Sequence, residues 1–120
     1  MNNVEFNFVR GDTYQRTITI VWNQEITNVY FTLKKNENDK DVVLQKKLGS
    51  GITLVDQKLN EDGSNTYTYL LNINATDTDN LETNYGYFFD FEVISDTIKK
   101  TPIKGTLTLD NDITRTINEV

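Results

Sequence analysis

Polar and apolar residues alternate along most of this chain, a period of two that sends successive side chains to opposite faces of an extended strand. Val4, Phe6 and Phe8 define a first strand, and Arg10-Gly11-Asp12 supplies the turn after it. A second strand over Thr13 to Trp22 carries Tyr14, Ile18, Ile20 and Trp22 on one face, interrupted only by Arg16. Val29, Phe31 and Leu33 form the inward face of a third, with Tyr30, Thr32 and Lys34 outward. Val42 to Leu48 alternates less regularly, so its register is weakly specified. Gly49-Ser50-Gly51 then permits a reversal into Ile52-Thr53-Leu54-Val55.

Past the polar loop Asn60 to Asn65, Tyr67, Tyr69, Leu71 and Ile73 alternate with Thr66, Thr68, Leu70 and Asn72. Asn74 to Leu81 reads as a crossing with one helical turn, for which a Thr or Asp is the expected cap. Tyr85, Tyr87, Phe89, Phe91 and Val93 make a long inward face, and Ser95-Asp96 forms a hairpin tip leading into Lys104 to Leu109. The pattern predicts an all-β fold, an immunoglobulin-like two-sheet antiparallel β-sandwich of about seven to nine strands. No fixed-period repeat or linker divides the chain, so residues 1–120 are expected to form one domain, with residues 111–120 as an extended C-terminal arm.

Composition narrows the chemistry. The chain has no cysteine and no histidine, which removes disulfides, thiolate sites, the usual general base and the commonest zinc ligand. Asp90 and Glu92 share one strand face and are the remaining candidates for paired-carboxylate catalysis, although acids on an outer strand face are ordinarily just solvated. Asp77-Thr78-Asp79-Asn80 and Asp110-Asn111-Asp112 resemble pieces of a calcium loop but lack its glycine and distal glutamate. The expectation is a non-enzymatic protein with no metal and no cofactor.

The net charge of −6 opposes binding to a phosphate backbone. The pairs Lys34-Lys35, Lys46-Lys47 and Lys99-Lys100 read as solvated strand ends. No segment approaches the roughly 20 apolar residues of a membrane-spanning helix. Met1-Asn2-Asn3-Val4-Glu5 lacks the regions of a secretory leader, so synthesis in the cytoplasm is expected. Asn74-Ala75-Thr76 matches a glycosylation sequon, and Arg10-Gly11-Asp12 spells an integrin-binding tripeptide, but a turn is the simpler reading of the latter.

Binding surfaces are therefore sought where apolar residues fall on outward faces: Val21, Tyr30, Leu70, Phe88 and Ile94. Ile113 and Ile117 lie in a β-favouring tail that either frays or adds a strand to a neighbouring subunit. A sugar-binding surface would instead use Trp22, Tyr30, Tyr85 or Tyr87 as stacking platforms.

The order of motifs resembles a family. Arg10-Gly11-Asp12-Thr13 and its Thr/Ile strand, Val29 to Lys35, Gly49-Ser50-Gly51-Ile52-Thr53, the Tyr-rich strand, Thr76-Asp77-Thr78 with Leu81, Tyr85 to Val93 and Gly105-Thr106-Leu107-Thr108-Leu109 are similar to small Ig-like structural proteins of tailed bacteriophages. They also resemble the N-terminal domain of phage baseplate upper proteins, which continue into a helical and receptor-binding part that this sequence lacks. The resemblance runs from Phe8 to Arg115 and implies a virion component that decorates a capsid or adapts one tail or baseplate part to another. Its implied partners are other virion proteins and further copies of the chain, with no nucleic acid or membrane involved; a glycan is the alternative. Leu81 with Tyr85 is similar to the tyrosine corner of Greek-key sandwiches, a structural feature.

Overall fold

The computed structural model describes residues 2–96 and 98–111. The strands are β1 (Asn2–Val9), β2 (Tyr14–Trp22), β3 (Asn28–Lys34), β4 (Leu44–Leu48), β5 (Gly51–Leu59), β6 (Asn65–Ile73), β7 (Gly86–Ser95) and β8 (Ile98–Asp110), with one turn of helix, α1 (Ala75–Thr78), between β6 and β7. They hydrogen-bond into a single eight-stranded sheet in the order β1-β8-β7-β3-β4-β5-β6-β2. The fold is all-β and the sheet is mixed. The expected antiparallel pairing is broken where β1 runs parallel to β8 and β4 parallel to β5.

Alternation places the faces as expected in three strands. Val29, Phe31 and Leu33 of β3, Tyr67 to Ile73 of β6 and Tyr87 to Val93 of β7 are buried at every second position. Their rings interlock: Phe6 stacks on Phe89 at 4.5 Å between centroids, Phe31 meets Phe89 at 5.4 Å, and Tyr69 reaches Phe91 at 6.3 Å. Each such side chain removed from water contributes about 1.5–3 kcal/mol, enough to fix which face points inward.

The sheet curls until its end strands, β1 and β2, face each other across a seam lined by Val4, Phe6, Arg16, Ile18 and Ile103. Side chains bridge the seam. Arg16, the polar interruption of β2, lies over the Phe6 ring and donates a hydrogen bond to the Tyr14 hydroxyl at 3.2 Å. The sheet also narrows between β4 and β5, whose ladder is limited to Lys47↔Gly51 and Leu48↔Ile52.

Two local features differ from the reading of the sequence. β5 extends to Leu59, past the four residues expected of it, because β6 offers a ladder along its whole length. β8 begins at Ile98, although Pro102 lacks an N–H; the β7–β8 register shifts between Phe91 and Val93, so the proline sits at the irregularity. Close to it, Gly105 lets β1 approach, since a Cβ there would stand 1.7 Å from the Val4 carbonyl oxygen.

Candidate interaction surfaces

The outer face of β3, β4, β7 and β8 gathers the candidates from the middle of the chain. Tyr30 on β3 stands opposite Glu92 on β7 and Lys47 on β4. Ile94 stands opposite Asn28, one diagonal step from Tyr30, and both are half-buried. Phe88, opposite Lys34, lies further along β7 beyond Asp90. Val21 and Leu70 are on β2 and β6, at the other end of the strand order, so the five outward apolar residues do not form one patch. Ile113 and Ile117 lie outside the described residues.

Between Tyr30 and Phe88 runs a charged strip. Asp90 sits in a cleft of about 110 Å³ with Thr32, Lys34, Phe88 and Lys104 on its walls. Burial, with the Glu92 carboxylate next to it, raises the Asp90 carboxyl above its ordinary value, and Lys34, Lys99 and Lys104 offset only part of this. Lys99 pairs with Glu92 at 3.6 Å and Lys104 with Glu37 at 3.4 Å. Sequence marked Asp90 as an outer-face acid. It gave no signal that loop residue Glu37 and three strands would enclose it.

Several sequence motifs are absorbed by structure. The Arg10-Gly11-Asp12 turn is held against α1, with Gly11 N–H donating to Thr78 Oγ1 at 2.9 Å and Arg10 Nη1 to the Leu81 carbonyl at 3.1 Å. Asp77 accepts the Asn74 backbone N–H at 2.7 Å, so the helical turn begins at an asparagine where a Thr or Asp cap was expected. The same carboxylate meets Lys46 Nζ at 2.7 Å, and both side chains are largely covered. Lys46 is thus not a solvated strand end. Its stem passes under Gly51, where a Cβ would stand 2.4 Å from the lysine Cδ. Among the described residues no group of three or more acids could hold a metal ion.

The Tyr87 hydroxyl accepts the Glu82 backbone N–H at 2.8 Å, whereas Tyr85, expected to bond back to nearby backbone, donates to the distant Lys35 carbonyl at 3.3 Å and takes the Lys35 ammonium on its ring face. Leu81 packs against the core from the half-buried margin. Of the rings considered for sugar stacking, Tyr87 is buried, and Trp22 turns its indole N–H out of contact with solvent.

The sequence reading missed the apolar residues of β5. Leu54, Val55 and Leu59 are 41%, 53% and 70% exposed. The adjacent pair Leu54-Val55 was the available signal, since neighbours on a strand cannot both point inward. Among the described residues no helix is long and apolar enough to cross a membrane. No protein-family model matches the chain, and no curated protein matches it.

Proposed function

We propose that this chain is a non-enzymatic structural component of a tailed-phage virion, an immunoglobulin-like domain that decorates the capsid or adapts one tail or baseplate part to another. The observation that carries the reading is the outer face of β3 and β7, where Tyr30 and Ile94 lie diagonally adjacent on a surface that an isolated domain would leave polar. Charged neighbours on both sides, Lys47 and Glu92, give that patch a polar rim of the kind found around protein interfaces.

The immunoglobulin-like reading has two supports. Opening the sheet at the narrow β4–β5 ladder leaves β5-β6-β2 facing β1-β8-β7-β3-β4. That grouping has the strand neighbours of an immunoglobulin sandwich, with β2, β6 and β5 as B, E and D and β3, β7 and β8 as C, F and G. Tyr87 near the start of β7, bonded back to Glu82, is where a tyrosine corner belongs.

The test is incorporation. A Tyr30→Lys, Ile94→Lys double variant should fold, as judged by an unchanged melting transition, yet be missing from purified particles when their proteins are identified by mass spectrometry. Incorporation at the parental level would reject this face as the docking surface. A carbohydrate-binding reading is favoured by one observation, the placing of Phe88 with Asp90, Lys34 and Thr32 in one cleft. Glycan-array binding that Phe88→Ala abolishes would support it.

A further inference from the structure

We infer that β5 is a self-recognition edge, through which two copies of the chain join their sheets about a two-fold axis at Gln57. This goes beyond the assembly reading and does not depend on it. Among the described residues β5 has a ladder partner on one side only beyond Ile52, because β6 follows it to Leu59 while β4 leaves after Leu48. All residues from Thr53 to Leu59 are exposed. An edge of this length with apolar side chains is a template for another strand, and natural sheets usually block such edges. The β1 and β2 edges, by contrast, face each other across the Phe6–Arg16 contact.

The sequence of the edge selects the occupant. An antiparallel pair centred on Gln57 sets Asp56 opposite Lys58 of the second copy, twice by symmetry, and Val55 opposite Leu59. Opposite charge meets opposite charge and apolar meets apolar, which is the self-complementarity that an isologous interface requires. Among the described residues neither Asp56 nor Lys58 has an ion-pair partner in its own chain. The register shift between Leu54 and Asp56 confines the regular part of the edge to its second half, so the contact is small and the dimer weak in dilute solution. It would be reinforced where many copies are held close together.

Sedimentation equilibrium of the full chain up to about 1 mM at low salt tests this, since weak dimers populate in that range. The parent should dimerise, and Lys58→Asp should weaken the dimer by about tenfold, because like charges then stand opposite each other at both symmetric contacts. The Asp56→Lys, Lys58→Asp double variant should recover parental affinity, with the melting transition unchanged in all three proteins. A parent that stays monomeric overturns the inference. So does a dimer indifferent to the Lys58 reversal, or one lost only when residues 112–120 are removed.

Discussion

The Arg16 guanidinium lies 5.0 Å from the centroid of the Phe6 ring, and this contact ties together the two strands at opposite ends of the sheet order. Arg16 is the one polar residue on an otherwise apolar strand face, and it stands where that face reaches the seam. A cation over an aromatic face at an exposed site stabilises by about 0.5–1 kcal/mol, and the arginine stem also covers part of the groove. Arg16→Ala should therefore lower stability by about 1 kcal/mol in urea denaturation. Arg16→Lys should keep part of that, and an Ala variant as stable as the parent would show that the seam is closed by something else.

Tyr85, just before β7, and Tyr87, on it, have different roles. Tyr87→Phe removes the acceptor of the Glu82 N–H, and a partly buried donor left without its partner costs about 1–2 kcal/mol. Tyr85→Phe loses an exposed hydrogen bond to Lys35 and should change stability by less than about 0.5 kcal/mol. Paired urea titrations of the two variants check the order. Equal losses would contradict the role given to the Tyr87 hydroxyl as the partner of the Glu82 N–H.

Gly105 has no space for a side chain, because the Val4 backbone of its parallel neighbour β1 lies against it. In Gly105→Ala the new methyl meets the Val4 backbone, so either β1 detaches from β8 or the whole pairing shifts. The expected cost is about 3 kcal/mol, in the range of severe steric substitutions. Hydrogen exchange should show the Val4 to Phe8 amides losing protection before those of β7. An alanine variant with parental protection in β1 would rule out the close approach.

Asp90 gives the fold a pH dependence of known sign. Burial raises its carboxyl in the folded state above the ordinary 3.8, so the folded protein binds this proton more tightly than the unfolded chain. Its contribution is therefore fully favourable below the ordinary value and is lost as pH rises through the raised one. Asp90→Asn should be more stable than the parent at neutral pH, with the gap closing as pH falls through the raised value toward 3.8. A gap that widens on acidification would contradict the shift.

Much of this architecture is written in the alternation, and what escaped it has physical causes. Val29, Phe31 and Leu33, or Tyr87, Phe89 and Phe91, declare their faces because one side of each strand is dry. Asp56, Gln57 and Lys58 declare nothing, because from Thr53 on both faces of β5 are wet and the ladder to β6 alone makes that part of the strand. The parallel pairing of β1 with β8 joins segments roughly a hundred residues apart, and period-two patterning carries no information about partners. Asp90 and Glu92 were visible as acids on one face, but the raised carboxyl depends on burial among groups from several strands. Which tyrosine hydroxyl meets the Glu82 N–H depends on where β7 begins, at Gly86, a boundary that the alternation from Tyr85 onward leaves open.

The central claim, that this domain is an assembled part of a virion, is tested most directly by electron microscopy of particles made with and without the chain. Particles lacking it should show missing density at a repeated position on the head, tail or baseplate. Density should return when the parental chain is supplied, and fail to return with the Tyr30→Lys, Ile94→Lys variant. Particles that are intact, infectious and unchanged in density without the chain would contradict the account.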